Sequence, residues 1–139
     1  MNTKAKGSNA ERELIHLFWE AGFAAMRAAG SGSTQLPSPD ILVGNPIRKF
    51  GVECKATKEN KQYLNKTQIE ELKEFCTKFG AEPWIAVRFD KNSKNPDQGW
   101  YFLTIDNLKE TEGNNFVITS ESAQARGLLF EELVYSSQS

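Results

Sequence analysis

The first stretch of the chain with a clear hydrophobic pattern has the period of a helix. Ser8 is followed three residues later by Glu11, the spacing of a capping box, so we expect this helix to begin near Ser8. Ala21 and Gly22 predict its end. The apolar positions are three and four residues apart, at Leu14, Ile15, Phe18 and Trp19. One face of the helix is therefore expected to pack against a core.

The next apolar segments have the length and composition of strands. Residues 23–27 predict a short extended segment, and the small residues at 29–33 predict a loop. Residues 40–43 predict a buried strand that stops at the turn sequence 44–46, and residues 50–55 predict its hairpin partner. Along such a strand, side chains two residues apart lie on the same face.

The second half of the chain predicts one more helix and two more strands. Residues 56–66 predict a basic loop, after which Thr67 can cap a helix that ends at Gly80. Residues 83–89 and 100–104 predict strands. The apolar stripe of the second helix consists of Ile69, Leu72, Phe75, Cys76 and Phe79.

The order of these elements, αβββαββ, implies an α/β fold with a mixed sheet. A length of 139 residues suits one domain. We expect a single domain over residues 1–139, with its core at about residues 8–104 and a C-terminal extension at about residues 105–139. The extension predicts only short pieces, at residues 105–109, 116–118 and 122–134, the last of them broken at Gly127.

Composition indicates a globular protein, since apolar residues make up 39% and charged residues 25% of the chain. No apolar run approaches the ~20 residues that span a bilayer. The polar residues 1–8 lack the apolar centre of a signal peptide. We therefore expect a soluble, cytoplasmic protein with no membrane partner.

The few cysteines and the single histidine exclude several classes of site. Cys54 and Cys76 do not suggest a disulfide framework without a secretion signal. With His16 they are too few for a structural zinc site. A Cys/His nucleophilic pair is disfavoured, because His16 is expected on a helix surface.

Charge is distributed unevenly along the chain, although the net charge is only −1. Residues 1–66 carry a net charge of +4 and residues 67–139 a net charge of −5. A positive first half is compatible with a phosphate-binding face, to which we assign Lys58, Lys61 and Lys66. Chance asymmetry is the alternative.

Three charged residues on the predicted hairpin form the best candidate for chemistry. Glu53 and Lys55 share a face of one strand, and the hairpin can bring Asp40 beside Glu53. Carboxylate oxygens are the ligands that Mg²⁺ and Mn²⁺ prefer. Lys55 could hold or help deprotonate a metal-bound water, or offset developing negative charge. The alternative is a surface salt bridge.

Further residues could extend this candidate site. Glu11 lies on the apolar face of the first helix, where it could reach a metal directly or through water, although the capping box also explains it. Arg12 and Arg27 could bind phosphate, or could be solvated. The loop at residues 30–33 offers hydroxyls and backbone N–H groups. Phe75 is either a core residue or, with the wide apolar stripe of its helix, part of a subunit interface.

These residues stand in motifs that resemble the archaeal Holliday junction resolvases (Hjc), a family of the restriction-endonuclease-like superfamily. The order and spacing match over roughly residues 5–104. The motifs are GSNAEREL at residues 7–14, RAAGS at 27–31, PDI at 39–41, VECK at 52–55 and EFCTKFG at 74–80. The resemblance implies a restriction-endonuclease-like mixed β-sheet flanked by helices.

The resemblance also implies roles for individual residues. It implies a homodimeric, Mg²⁺-dependent endonuclease that cuts four-way DNA junctions, with Mn²⁺ as a substitute ion. The matching residues are Glu11, Asp40 and Glu53 as metal ligands, Lys55 as the catalytic lysine, Arg12 and Arg27 as basic residues on DNA, Ser31 (or Ser33) as the loop serine at the scissile strand, and Phe75 and Phe79 at the dimer interface. The loop at residues 30–39 is longer than the family pattern, and the tail after Asn107 is extra relative to the shortest members.

Two other functional interpretations are compatible with the sequence. Another nuclease of the same superfamily, acting on duplex, flap or single-stranded DNA, would have the same metal site. An inactive DNA-binding module is disfavoured, because Asp40, Glu53 and Lys55 are all present. Protein partners such as a clamp or a helicase are not readable from the sequence.

Overall fold

A five-stranded mixed sheet is the centre of the computed structural model, which describes residues 3–28, 36–89 and 99–135, with side chains from Asn9 onward. The helices are α1 (Thr3–Glu20), α2 (Lys66–Phe79), α3 (Ser120–Arg126) and α4 (Phe130–Tyr135). The strands are β1 (Ala24–Arg27), β2 (Ile41–Gly44), β3 (Lys49–Thr57), β4 (Lys61–Asn65), β5 (Glu82–Phe89), β6 (Trp100–Leu103), β7 (Lys109–Thr111) and β8 (Asn115–Thr119). A short 3₁₀ helix, Ile105–Asn107, follows β6.

The strands form two sheets. The larger sheet has the order β1-β2-β3-β5-β6, in which only β3 and β5 are parallel. The smaller sheet is antiparallel, with the order β4-β8-β7. The predicted β2–β3 hairpin is present, with Ile41 opposite Val52. The expected α/β fold with a mixed sheet is confirmed.

Aromatic rings fill the core between α1, α4 and one face of the larger sheet. Phe18 of α1 is fully buried at the centre of this core. Its ring lies 5.0–6.1 Å, centroid to centroid, from four other rings, those of Phe23, Phe50, Phe102 and Phe130. Such rings bury large apolar areas, so these contacts hold α1 firmly on the sheet.

A second core joins α2 and the smaller sheet to the opposite face of the larger sheet. Leu72 and Cys76 of α2 pack there with Ile85 of β5. Leu64 of β4 and Ile118 of β8 belong to the same cluster. Strands of the C-terminal part of the chain therefore complete a core that begins in the first half. No helix in the described ranges is long and apolar enough to cross a membrane.

The helix α1 begins earlier than the sequence predicts. It starts at Thr3, so the prediction of a start near Ser8 with Ser8 as N-cap is wrong. Ala and Lys are good helix formers, and a single interior glycine such as Gly7 costs only ~1 kcal/mol. The end is as predicted, since Gly22 has a φ of +93° and the N–H of Phe23 donates to the carbonyl of Phe18. A helix-interior Ser8 removes the capping explanation for Glu11.

Residues 56–66 do not form the predicted basic loop. β3 continues to Thr57, and β4 follows after only three residues. In β4, Gln62 and Leu64 point inward, whereas Lys61 and Tyr63 are exposed. The alternation is therefore that of a strand with one buried face. The lysines made the segment resemble a solvated loop.

The N-cap of α2 also differs from the prediction. Asn65 is the N-cap, and Thr67 lies inside the helix, so the prediction of Thr67 as cap is wrong. The side chain of Asn65 accepts a hydrogen bond from the N–H of Gln68 at 2.8 Å, and the N–H of Asn65 donates to the side chain of Gln68 at 3.1 Å. This reciprocal pair is a capping box that uses Asn and Gln. At the other end, Gly80 terminates the helix with a φ of +88°.

We predict that Gly51→Ala destabilises the protein by about 1–3 kcal/mol, the usual cost of overpacking. A Cβ at Gly51 would lie 2.5 Å from the sulfur of Cys76, because α2 packs directly on β3 at this point. Urea unfolding measures the change in the free energy of unfolding. In the Gly51→Ala/Cys76→Ala double variant, the loss should be smaller than the sum of the two single losses. Additive losses would contradict this explanation.

Candidate active site

Asp40 lies directly before β2 and is fixed by two hydrogen bonds to β3. Its N–H donates to the carbonyl of Val52 at 3.0 Å. Its Oδ2 accepts a hydrogen bond from the N–H of Cys54 at 2.9 Å. The hairpin therefore holds the Asp40 carboxylate against the segment of β3 that carries Glu53 and Lys55.

Glu53 and Lys55 lie near the middle of β3. Glu53 is only 8% exposed, which is unusual for a carboxylate. The Nζ of Lys55 lies 3.7 Å from the Oε2 of Glu53. The structure thus brings together Asp40, Glu53 and Lys55, which the sequence grouped by strand alternation.

The proximity of Asp40 and Glu53 has an electrostatic cost. Burial, and next the charge of Asp40, raise the pKa of the Glu53 carboxyl to about 8. A hydrogen bond with the Asp40 side chain also raises this pKa, whereas the charge of Lys55 lowers it. Near neutral pH, Glu53 therefore carries a proton, which lets two carboxyl groups share this space.

Glu11 of α1 approaches this pair from the helix side. Its Oε1 lies 3.2 Å from the Nε of Arg27 on β1. Burial and the charge of Asp40 raise the pKa of the Glu11 carboxyl, and Arg27 and Lys55 lower it. Although Oε1 is buried, it receives no hydrogen bond of good geometry from the described residues. A buried acceptor in this state has room for a further partner.

The carboxyl groups of the described residues are not assembled into a metal site. No three His, Cys, Asp or Glu side chains within residues 3–28, 36–89 and 99–135 are grouped closely enough to hold a metal ion as they stand. Asp40 and Glu53 are hydrogen-bonded to each other, and Glu11 is paired with Arg27. The three carboxyl groups nevertheless interact through their charges.

Cys54 is not a nucleophile of this site. Burial, followed by the charges of Asp40, Glu11 and Glu53, raises the pKa of its thiol well above the ordinary value. A reactive cysteine needs the opposite shift. His16 is exposed on α1, as predicted. The Cys/His pair remains disfavoured.

The peripheral residues assigned to DNA are at the surface where the structure describes them. Arg12 is exposed and donates a hydrogen bond to the side chain of Asn9 at 3.2 Å. Ser31 and Ser33 lie outside the described residues. The three lysines of the predicted basic face are exposed, namely Lys58, Lys61 and Lys66.

Phe75 and Phe79 stack on each other on α2, with ring centroids 5.3 Å apart and an interplanar angle of 18°. Phe75 is half-buried and Phe79 is 47% exposed. Phe79 lines a surface depression of about 410 Å³, which we call the apolar groove. The groove runs along the β1 edge of the larger sheet, and its other lining residues include Trp19, Met26, Leu42, Val43 and Lys49.

Trp19 differs from the prediction. The sequence assigned it to the buried stripe of α1, but it is 58% exposed in the apolar groove. Its indole N–H donates to the carbonyl of Ala25 at 2.9 Å, which fixes the ring against β1. Met26 beside it is 59% exposed. An exposed patch of such large apolar side chains is typical of an interaction surface.

Sequence reasoning missed one charged contact near the site. Glu13 of α1 is hydrogen-bonded to Arg88 of β5. The guanidinium of Arg88 also lies over the ring of Trp100, 5.3 Å from its centroid. No local pattern links residues 75 positions apart. The sequence offered one signal for this contact, namely that Glu13 is a second acidic residue, two positions after Glu11.

We predict that the stability of the metal-free protein falls as pH rises from about 4.5 to about 8, owing to Glu53. Its pKa is raised in the folded protein, so its favourable contribution is complete below the unfolded-state pKa and is lost as pH rises through the folded-state value. The free energy of unfolding of Glu53→Gln should lack this dependence on pH. Relative to the wild-type value, it should therefore rise by about a few kcal/mol over this range. Urea unfolding in the presence of a chelator measures it. A difference independent of pH would contradict the assignment.

Comparison with known proteins places this chain in a family. A family model described as archaeal Holliday junction resolvase (hjc) matches residues 2–139. The crossover junction endodeoxyribonuclease Hjc of Archaeoglobus fulgidus is 37% identical over 135 residues, which cover 93% of this chain and 95% of that protein. The protein of the same name from Sulfolobus acidocaldarius is 36% identical over 136 residues, covering 96% and 90%.

A solved structure agrees with the sequence comparison. The structure of Archaeoglobus fulgidus Hjc, a Holliday junction resolvase from an archaeal hyperthermophile, superposes with a TM-score of 0.80 at 35% identity. The match covers 92% of this chain and 99% of that one. Sequence and fold agree over more than nine-tenths of the chain, and the chain belongs to the archaeal Holliday junction resolvase (Hjc) family.

Proposed function

We propose that this protein is a structure-selective endonuclease that resolves four-way DNA junctions by paired, metal-dependent hydrolysis of phosphodiester bonds. The observation that carries the proposal is the cluster of Asp40, Lys55 and the buried Glu53 in a member of the Hjc family. Burial, and next the charge of Asp40, raise the pKa of the Glu53 carboxyl to about 8. Such strongly perturbed groups are typical of functional sites.

The donor chemistry fits a divalent cation, and we infer Mg²⁺, with Mn²⁺ as a substitute. Hard oxygen ligands are what these ions take. Asp40 and Glu53 would bind the ion directly, and Glu11 directly or through water, using its buried Oε1. The bound ion would lower the pKa of a water molecule and polarise a phosphate oxygen. Its charge would also favour ionised Glu53 over the protonated form.

The basic side chains have distinct tasks in this proposal. Lys55, 3.7 Å from Glu53, would orient the attacking water and offset negative charge that develops on the phosphate. Arg27 is 54% exposed at its side chain, so its guanidinium can bind a phosphate while it stays beside Glu11. Arg12 and the exposed Lys58, Lys61 and Lys66 would hold the DNA backbone, and Ser31 or Ser33 would approach the scissile strand.

A homodimer would supply the paired cuts. Two equivalent sites at a fixed separation match two symmetric cuts on opposing strands. The apolar groove with Trp19, Met26 and Phe79 is the surface of this chain that best fits a self-complementary contact. Recognition of the junction would rest on its shape and its phosphates. Such an enzyme would act in the cytoplasm, with the chromosome.

We predict that Asp40→Asn and Glu53→Gln each lower the nicking rate on an immobile four-way junction more than about 100-fold, because each removes a ligand of the ion that activates water. Junction binding, measured by gel shift without metal, should stay within a few-fold of wild type. Wild-type nicking should require Mg²⁺ or Mn²⁺. Cleavage by either variant at the wild-type rate would show that the site is misassigned.

The same assay separates a junction resolvase from another nuclease with this metal site. Linear duplex, flap and four-way substrates are compared at equal salt, because phosphate contacts make affinity depend on salt. Preference for the four-way substrate supports the proposal. Equal cleavage of linear duplex indicates the alternative, a repair or restriction-type nuclease.

We predict that Phe79→Glu weakens dimerisation about 30-fold or more, the effect of losing a ~2 kcal/mol contact at the centre of an interface. Sedimentation equilibrium measures the dissociation constant. Leu129→Glu is the matched control, since Leu129 is similarly exposed, at 50%, but lies outside the apolar groove. On a junction, dilute Phe79→Glu should give single nicks in place of paired cuts. A wild-type dissociation constant for Phe79→Glu would exclude the groove as the interface.

A further inference from the structure

The ion pair between Glu13 and Arg88 connects α1 to the centre of the larger sheet. The side chain of Arg88 is only 14% exposed, and that of Glu13 is 43% exposed. The guanidinium of Arg88 also lies over the ring of Trp100, which is completely buried in the core. A guanidinium that is held between a carboxylate and an aromatic ring has little rotational freedom. It is therefore a rigid point of attachment for the helix.

This attachment lies at the same level of the sheet as the catalytic cluster. The parallel register of β3 and β5 places Arg88 opposite Ala56 and Val87 opposite Lys55. On α1, Glu13 follows Glu11 by two residues. Side chains two apart on a helix point in widely different directions. The two carboxylates of α1 therefore reach different strands.

Together, the two ion pairs of α1 lie on either side of the catalytic strands. Glu11 pairs with Arg27 on β1, and Glu13 pairs with Arg88 on β5. In the sheet order, β2 and β3 lie between β1 and β5. If Glu11 bound a metal ion, the ion and Arg27 would compete for the same carboxylate. The contact between Glu13 and Arg88 involves no residue assigned to the metal, so metal binding by Glu11 would leave it in place.

We propose that Glu13 and Arg88 are positioning residues, which hold α1 at the height and rotation that put the carboxylate of Glu11 within reach of the metal ion. The inference rests on the proposed function, because it presumes a divalent cation at Asp40 and Glu53. Neither residue touches the ion or the scissile phosphate. Their effect passes through the backbone of α1 to Glu11.

The test is the affinity of the free protein for Mn²⁺, measured from the paramagnetic resonance signal of unbound Mn²⁺. Glu13→Gln should weaken Mn²⁺ binding about 10-fold, the effect that groups supporting a metal ligand usually have. The Mg²⁺ concentration that gives half-maximal nicking should rise by a similar factor. Nicking at saturating Mg²⁺ should recover to near the wild-type rate, since no catalytic group is lost.

A double-mutant cycle identifies the route of the effect. If Glu13 acts through Glu11, then Glu13→Gln should weaken Mn²⁺ binding in the wild type but change it less than twofold in a Glu11→Gln background. Equal losses in both backgrounds would overturn the proposed route. Arg88→Lys is the second variant, because lysine keeps the charge but loses the guanidinium that contacts both Glu13 and Trp100. It should weaken Mn²⁺ binding in the same way, and it carries the comparison if Glu13→Gln does not fold.

Glu82→Gln is the matched control. The pair of Arg48 and Glu82 has nearly the same exposure, 11% and 42%, and Arg48 likewise lies over an aromatic ring, that of Phe50, at 4.5 Å. It is six residues further back along the sheet, ~20 Å from the level of Arg88 at the usual rise of a strand. Glu82→Gln should therefore lose stability as Glu13→Gln does, yet bind Mn²⁺ as the wild type does.

The outcomes separate this inference from the proposed function. If the wild type binds no Mn²⁺, or if Asp40→Asn does not abolish the binding, the metal site of the proposed function is excluded. If the wild type binds Mn²⁺ at that site and both Glu13→Gln and Arg88→Lys bind it equally well, the positioning role alone fails. If Glu82→Gln weakens binding as much as Glu13→Gln, the effect is general destabilisation, and the positioning role is again excluded.

Discussion

Burial of the Glu53 carboxyl group beside Asp40 is the constraint on which the rest of the site depends. Two acidic groups in a poorly solvated place repel each other, so each must find a compensating partner. The N–H of Cys54 compensates Asp40, and the ammonium of Lys55 approaches Glu53. These partners belong to the central strands of the larger sheet. The strands are fixed in place because α1 packs on one face of the sheet and α2 on the other.

The hairpin that carries Asp40, Glu53 and Lys55 was predictable because its signal is local. Asp40 directly before a strand, and Glu53 and Lys55 two positions apart on the next, share a face by strand geometry alone. A turn between the strands fixes which residues meet. The motifs within residues 5–104 then identified the family, and the mixed sheet followed from the order of the elements.

The features that the sequence did not predict depend on distant contacts or on mixed patterns. The pairing of Glu13 with Arg88 links positions that only the folded sheet brings together. β4 was hidden because Lys61 lies on its solvent face and Lys58 and Lys66 flank it, a composition that a basic loop shares. Trp19 fitted the apolar spacing of α1, but it is largely exposed. Such spacing shows which face of a helix is apolar, but it does not show which residues of that face another element covers. Burial could therefore be assigned to a face more reliably than to a residue.

The parallel pairing of β3 with β5 has a consequence for when the nuclease becomes active. Glu53 of β3 lies opposite Ile85 of β5. Because β4 and α2 lie between these two strands in the sequence, β3 can pair with β5 only after both have folded back onto the sheet. Parallel partners need such long crossovers, and contacts distant along the chain form slowly, after loop closure has cost its entropy. The hairpin alone would leave one edge of β3 open. In a chain that has not finished folding, Glu53 therefore lacks the covered, poorly solvated position that it has in the complete sheet.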